Sequence, residues 1–190
     1  VVVPTEIAKN LTQVRRRITL AAKRAERDPA EVKLIAVSKT NPADVVREAI
    51  AARCYIFGEN KVQEAEAKIS EVGRDKAEWH LIGHLQKNKA RRAVQLFDVI
   101  HSVDSPELAH RLERICAEEG KPSLDVLVQV DLAGEATKSG VAETELQLLV
   151  EVLKRCEHLR FIGLMVIPLI MLVGVGVDIG RMTSVRSQMQ

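Results

Sequence analysis

The stretch from residue 33 to residue 52, KLIAVSKTNPADVVREAIAA, decides the fold because it contains one complete strand and helix unit. Residues 33–38 form a nearly continuous apolar run, which is typical of a strand covered on both faces. Thr40 and Asn41 then precede Pro42, and a capping residue before a proline at the first helical position predicts a helix from about Pro42 to Ala52. The segment therefore predicts a strand, a turn and a helix.

The same unit recurs along the rest of the chain. An amphipathic helix is expected first, over residues 5–26, because apolar side chains recur there every three or four positions. Further strands are predicted at 55–60, 78–84, 97–103, 124–132 and 159–167, and further helices at 61–72, 87–96, 106–119 and 142–157. Six strands that alternate with helices predict an α/β fold with a parallel sheet, closed by right-handed crossovers into a (β/α) TIM-type barrel.

Length and composition agree with one such domain over residues 1–190. The chain has 46% apolar residues, and its 28 Lys and Arg against 26 Asp and Glu leave a net charge of +2. That balance gives no strong field for nucleic acid or an anionic membrane surface. The three cysteines have no CxxC spacing, which favours a reducing compartment. Without a visible secretory segment, a cytoplasmic protein is expected.

A long apolar stretch raises the question of a membrane span. Residues 161–177 contain no charged side chain, and about 17 residues is the lower limit for a membrane helix. However, Gly163, Pro168, Gly174 and Gly176 interrupt the stretch, and a helix interior disfavours proline. A buried strand, a turn and a second apolar segment are therefore predicted instead.

In a parallel barrel, functional side chains collect where the strands end, because the loops there converge over one mouth. Lys39 follows the apolar wall of the first strand, where partial desolvation would favour the neutral amine and make it a candidate Schiff-base nucleophile. The alternative is a solvated lysine at a strand end. The other candidates at strand ends are Ser38, Glu59, Asn60, His84, Gln86, His101, Ser102, Asp131 and Met165.

Several short blocks together resemble the pyridoxal phosphate homeostasis protein family. These blocks are LIAVSKTNP at 34–42, FGENKVQE at 57–64, WHLIGHLQKNK at 79–89, IHSVDS at 100–105, KSGV at 138–141 and GLMVIP at 163–168. They occur in the family's order within residues 5–168. The resemblance implies a barrel like the N-terminal domain of alanine racemase, without the second domain.

The resemblance also implies a cofactor and the residues around it. Lys39 is expected to carry pyridoxal 5'-phosphate (PLP) as an internal aldimine. Asn60, His84 and Met165, which match the family's GEN, IGH and GLM motifs, are expected to line the cofactor pocket. The implied role is intracellular PLP homeostasis, with PLP-dependent apoenzymes as recipients of the cofactor.

The sequence departs from the family after Pro168. Family members continue into two more strands that resemble a phosphate cradle, whereas residues 169–190 read LIMLVGVGVDIGRMTSVRSQMQ. The last two barrel strands are therefore expected to be missing or replaced, and residues 169–190 to form an atypical tail. Gly174, Gly176, Ser184 and Arg186 are weak candidates for a phosphate nest. An open barrel exposes strand edges, which predicts low solubility or association. A monomer or a weak homo-oligomer is expected.

Alternative functions stay open at this point. A PLP-dependent racemase or decarboxylase needs a second base at the cofactor, but Tyr55, the one tyrosine of the chain, lies at the start of the second strand, at the bottom of the barrel. A truncated product that binds no cofactor is a further alternative.

Two other kinds of site are considered. His80 and His84 share a strand face and could bind a metal with a third ligand, but core packing is favoured. The basic segment 87–92 is interpreted as a solvated helix face rather than a nucleic-acid contact.

Overall fold

The computed structural model describes residues 5–132 and 140–167. Six α-helices lie in these ranges: α1 (Glu6–Arg24), α2 (Ala43–Ala51), α3 (Val62–Val72), α4 (Ala90–Leu96), α5 (Pro106–Glu118) and α6 (Glu143–Lys154). The strands are β1 (Ala36–Val37), β2 (Ile56–Glu59), β3 (Glu78–Leu81), β4 (Val99–Val103), β5 (Leu124–Asp131), β6 (Val141–Ala142) and β7 (Leu159–Met165). The predicted alternation of strands and helices is confirmed.

All strand pairs in these ranges are parallel. The strands are ordered β1-β2-β3-β4-β5, and both β6 and β7 pair with β5. Since β1 pairs with β2 alone among the described strands, the sheet is open at β1 on the side away from β2. The predicted loss of the last two barrel strands concerns residues after Pro168, which lie outside the described ranges.

Some boundaries differ from the prediction. The predicted helix at 87–96 begins as a 3-10 turn at Lys87–Lys89, and the two-residue strand β6 was not foreseen. Ser105 caps α5 as expected, because its side chain accepts a hydrogen bond from the backbone N–H of Leu108. The prediction that Thr40 or Asn41 caps α2 is wrong: Pro42 occupies the cap position and makes no side-chain bond.

One face of the sheet packs against the helices and forms the main apolar core. Phe57 of β2 and Trp79 of β3 lie side by side there, with ring centroids 5.6 Å apart, and both are almost fully buried. Leu112 of α5 and Leu149 of α6 belong to the same apolar cluster. Burying a large apolar side chain contributes about 1.5–3 kcal/mol, so this layer holds the strands in register.

The other face, called here the inner face, is lined by the alternate residues of each strand. A Cβ added at Gly58 would lie 3.0 Å from the Ile82 side chain and 3.1 Å from that of Ile35, so these three residues share this face. Ile35 is buried but does not belong to the helix-side cluster. The sheet thus separates an apolar helix layer from a second interior surface that points toward the barrel axis.

A buried pair of imidazoles occupies the inner face. His80 Nδ1 lies 2.8 Å from His101 Nε2, and His80 Nε2 lies 2.7 Å from Glu78 Oε1. His80 and His101 are both buried. The metal site considered for His80 and His84 is not formed, since residues 5–132 and 140–167 contain no group of three or more His, Cys, Asp or Glu side chains able to hold a metal ion.

We expect this pair to make stability fall in mild acid. Burial lowers the pKa of His80 below its ordinary 6.5, although its hydrogen bond to the Glu78 carboxylate opposes that shift. The imidazole of His80 therefore binds a proton more readily in the unfolded chain than in the folded one. The free energy of unfolding is highest above about pH 6.5 and decreases as the pH falls toward the lower pKa of the folded state. Urea unfolding at pH 7.5 and pH 5.5 measures the loss. His80→Gln should reduce the difference in the free energy of unfolding between the two pH values, whereas His110→Gln, a control at an exposed position, should retain it. An equal difference in the two variants would contradict the assignment of the pH dependence to His80.

The apolar stretch near residue 161 is a strand where the structure describes it. Residues 159–165 form β7, as predicted, and the remainder of 161–177 from Pro168 onward lies outside the described residues. No helix in the described ranges has the length and apolar character needed to cross a membrane.

Candidate functional site

The four residues expected to line a cofactor pocket lie at or just beyond the carboxyl ends of parallel strands. Val37 of β1 is in register with Gly58 of β2, and Lys39 and Asn60 follow these two positions by two residues each, beyond the ends of β1 and β2. His84 lies in the loop after β3, at the same edge of the sheet. This carboxyl edge, defined by Lys39, Asn60, His84 and Met165, is the candidate site.

Lys39 lies in the turn after β1, and its side chain is exposed. This exposure favours the alternative of a solvated lysine at a strand end over a partly desolvated amine. The physical reason is its place in the sheet: β1 pairs on one side only among the described strands, so no second strand covers the lysine. The exposed amine is accessible to a small molecule that approaches the inner face.

Asn60 is half-buried and is held by the loop after β3. Gly83 approaches its backbone so closely that an added Cβ would lie 2.7 Å from Asn60 Cα and 2.9 Å from its carbonyl carbon. Only a residue without a side chain fits such a contact between two backbones. The GEN segment at 58–60 and the IGH segment at 82–84 are therefore adjacent in space, in contact through Asn60 and Gly83.

His84 and Met165 complete the edge. The His84 side chain is 52% exposed, and its Nδ1 lies 3.5 Å from Asp104 Oδ2. Met165 ends β7, is half-buried and stands in register with Gln129 of β5. No hydrogen bond joins the four side chains to one another within the described residues.

A buried charge network lies directly beneath Lys39, on the helix side of the sheet. Ser38 Oγ donates to Glu59 Oε1 at 2.6 Å, and Lys68 Nζ donates to the same oxygen at 2.5 Å. Lys68 Nζ also donates to the backbone oxygen of Ser38 at 2.7 Å. The Lys68 side chain is 5% exposed and that of Glu59 is wholly buried.

Lys68 and its second carboxylate partner, Glu64, are the residues that the sequence prediction missed. Glu64 Oε1 accepts a hydrogen bond from the Thr40 backbone N–H and lies 3.5 Å from Lys68 Nζ. A signal was present, because Lys68 falls on the same stripe of α3 as Val62 and Ala65, both of which are buried. A lysine on the apolar stripe of a helix calls for a buried partner.

Three of the other strand-end candidates have different surroundings. His101 and Ser102 were expected at the mouth, but β4 continues to Val103 and both are buried within the strand. Gln86 is exposed, beyond the close contact of the β3 loop. The predicted end of β4 at residue 103 agrees with the observed end, whereas β3 was predicted to end at residue 84 and ends at Leu81, so Gln86 lies farther beyond its strand than expected.

A sequence model of the alanine racemase N-terminal domain family matches residues 9–170. The pyridoxal phosphate homeostasis protein of Pseudomonas aeruginosa is 48% identical over 162 residues, covering 85% of this chain and 70% of the relative. The chain belongs to the pyridoxal phosphate homeostasis protein family. Its sequence resemblance to that family and its α/β barrel fold class are confirmed.

Solved structures agree with the family assignment. The structure of PipY from Synechococcus elongatus with PLP bound superposes with a TM-score of 0.72 and 44% identity, covering 88% of this chain and 73% of that one. The alanine racemase of Corynebacterium glutamicum superposes with a TM-score of 0.63 at 21% identity, covering 84% of this chain and 43% of the enzyme. At that identity the likeness concerns the fold alone.

A second family model matches where the family pattern is lost. Residues 159–190 match a TadE/G-like family of Flp pilus assembly, and this match overlaps the end of the first. It begins with β7 and continues through the tail at 169–190. The KSGV block and the candidate phosphate nest at Gly174, Gly176, Ser184 and Arg186 lie wholly or partly outside the described residues.

A cavity of about 640 Å³ lies at the other end of the strands from the candidate site. It is lined by residues near the starts of β1, β2 and β3, including Leu34, Tyr55 and Glu78. Tyr55, which is 51% exposed, is therefore at the amino ends of the strands, away from Lys39. The predicted position of the one tyrosine at the bottom of the barrel is confirmed.

Proposed function

We propose that this chain binds PLP at the carboxyl edge and holds it covalently through Lys39. The observation that carries the proposal is that Lys39, Asn60, His84 and Met165 lie at or just beyond the carboxyl ends of the parallel strands β1, β2, β3 and β7. The PipY relative, whose structure has PLP bound, supports the same cofactor here.

The residues at this edge fit the aldehyde end of PLP. The Lys39 amine is exposed, so it can attack the aldehyde carbon and form a carbon–nitrogen bond with loss of one water. Asn60 supplies both a donor and an acceptor, and His84 supplies ring nitrogens beside Asp104. PLP, when bound, supplies an electron sink, and the protein supplies orientation and hydrogen bonds.

We further propose that the protein carries and buffers PLP rather than turning over an amino acid. Proton movement on both faces of a substrate needs a second positioned base. Tyr55 lies at the opposite end of the strands, so the one tyrosine of the chain does not reach the cofactor edge. PLP-dependent apoenzymes are the proposed recipients, and the exposed setting of Lys39 supports transfer to them.

The proposed location and assembly follow from other features. The cysteines Cys54, Cys116 and Cys156 are free thiols, which supports a reducing compartment and hence the cytoplasm. A monomer or a weak homo-oligomer is the proposed state, and no nucleic-acid or membrane partner is proposed.

The test is to trap the cofactor on the purified chain. PLP is added, the absorption spectrum is recorded, the adduct is reduced with borohydride, and the labelled peptide is mapped by mass spectrometry. A reduced adduct at Lys39 is the expected result. Its absence at saturating PLP would favour the product that binds no cofactor, and racemization or decarboxylation at enzyme-like turnover would favour the catalytic alternative.

We expect Asn60→Ala and His84→Ala each to weaken PLP binding by roughly 2- to 10-fold, because one hydrogen bond contributes about 0.5–1.5 kcal/mol. Spectral titration with PLP measures the change. Lys87→Ala is a suitable control, since this exposed lysine pairs with Glu107 on the helix side. Unchanged affinity and absorption in both site variants would remove these residues from the pocket.

A further inference from the structure

We infer that Lys68 is a positioning residue that fixes the backbone on both sides of Lys39. This inference rests on the proposed attachment of PLP to Lys39. It assigns a role to a buried lysine on α3 that is distinct from the amine at the carboxyl edge.

The contacts of Lys68 bracket Lys39. On one side, Lys68 Nζ donates to the Ser38 backbone oxygen at 2.7 Å. On the other side, Glu64 accepts from the Thr40 N–H and lies 3.5 Å from the same ammonium group. One buried cation is therefore linked to the residue before Lys39 and, through a carboxylate, to the residue after it.

Further bonds tie this cation to the sheet. The Ser38 backbone N–H donates to Gly58 O at 3.0 Å, which continues the pairing of β1 with β2. Glu59 at the end of β2 accepts from both Ser38 Oγ and Lys68 Nζ. Lys68 thus connects α3, the end of β2 and the turn that carries Lys39.

The backbone of this turn needs such support. Thr40 has φ of 64°, in the left-handed region that costs a β-branched residue energy. Strained residues persist where the surrounding contacts determine their conformation. The hydrogen bond from Thr40 N–H to Glu64 is one of those contacts, and the Lys68 ammonium holds Glu64 nearby.

Stability alone does not account for a buried ion pair at this place. Desolvation of both charges offsets much of their attraction, so an apolar pair of similar size is often as stable. What the buried charges add is a fixed geometry. The Lys68 ammonium group and its two carboxylate partners hold α3, the end of β2 and the turn after β1 in one arrangement. Burial also withholds Lys68 from an aldehyde in solution, which separates its role from that of Lys39.

The test compares the wild-type chain with the double variant Glu59→Gln/Lys68→Met. Removing both charges together avoids leaving one unpaired in the interior, which single Lys68→Met would do. Two rates are measured at several pH values: formation of the PLP adduct at Lys39, and reductive methylation of Lys39 by formaldehyde and cyanoborohydride without PLP. The double variant should form the adduct at least about 10-fold more slowly, with a displaced pH profile for Lys39 methylation, while thermal melting confirms that it is folded.

Lys121→Met is the matched control. Lys121 is a second, partly buried lysine whose Nζ donates to two backbone oxygens, those of Val94 and Phe97, each at 2.7 Å. Its loss should lower the melting temperature and leave both Lys39 rates unchanged.

The outcomes separate the two proposals. A wild-type chain with no adduct at Lys39 would overturn the proposed function, whereas the methylation profiles would still report on the positioning role. Identical Lys39 methylation profiles in the wild type and the folded double variant would overturn that role. A PLP adduct mapped to Lys68 in the folded wild type would overturn it as well.

Discussion

The Lys39→Ala variant is expected to lose the covalent PLP adduct, with a fall in borohydride-trapped yield on the order of 100-fold, because covalent attachment requires an amine nucleophile at that place. The exposed side chain of Lys39 makes no hydrogen bond in the described structure, so its truncation should leave the fold intact. Mass spectrometry of the reduced protein measures the yield, and circular dichroism checks the fold.

Lys33→Ala provides the comparison for this variant. Lys33 is also exposed and lies just before β1, whereas Lys39 lies just after it. The two lysines therefore differ in the end of the strand they occupy. We expect normal adduct yield from Lys33→Ala. An undiminished yield in Lys39→Ala, with the label on another lysine, would show that the attachment site has been assigned to the wrong residue.

Gly83→Ala is expected to destabilise the chain by about 2–3 kcal/mol, the upper part of the range for an overpacked interior position. The added Cβ would lie only 2.7 Å from Asn60 Cα and closer still to the Asn60 backbone oxygen, and backbone cannot move aside as a flexible side chain can. Either the loop after β2 or the loop after β3 must shift. Urea unfolding measures the stability loss, and PLP titration should show weaker binding because Asn60 is displaced.

Gly120→Ala separates this steric effect from the general cost of replacing glycine. Gly120 has φ of 65° and nothing within 4 Å of an added Cβ, so the cost there is conformational, about 1 kcal/mol. PLP affinity should be unchanged in this variant. A Gly83→Ala chain no less stable than Gly120→Ala would contradict the close approach of the two site loops.

Sequence patterns predicted the strand and helix units because each unit has a local signal. The apolar run before Lys39 and the Ser105-Pro106 start of α5 are such signals, and both correspond to observed elements. The cap of α2 was predicted wrongly because the local turn takes the capping groups: Asn41 Nδ2 donates to Lys39 O at 3.2 Å, and Thr40 Oγ1 donates to the same oxygen at 2.6 Å.

Properties that depend on distant neighbours could not be predicted in the same way. The exposure of Lys39 depends on which strands flank β1, and the chain near Lys39 carries no information about that. Lys68 was missed because lysines on helices are mostly solvated. Its partner Glu59 is nine residues away, and the two meet only after α3 folds onto the sheet.

The one-sided pairing of β1 bears on how firmly the attachment point can be held. A marginal strand opens locally at less free-energy cost than the centre of a sheet. The proposed attachment point, Lys39, follows β1, which is an end strand of the sheet among the strands that the structure describes. In the proposed role of Lys68, its salt bridges from α3 give the support that a second neighbouring strand would give. How firmly the proposed cofactor attachment point is held should then depend on the packing of α3 against the sheet as much as on the pairing of β1.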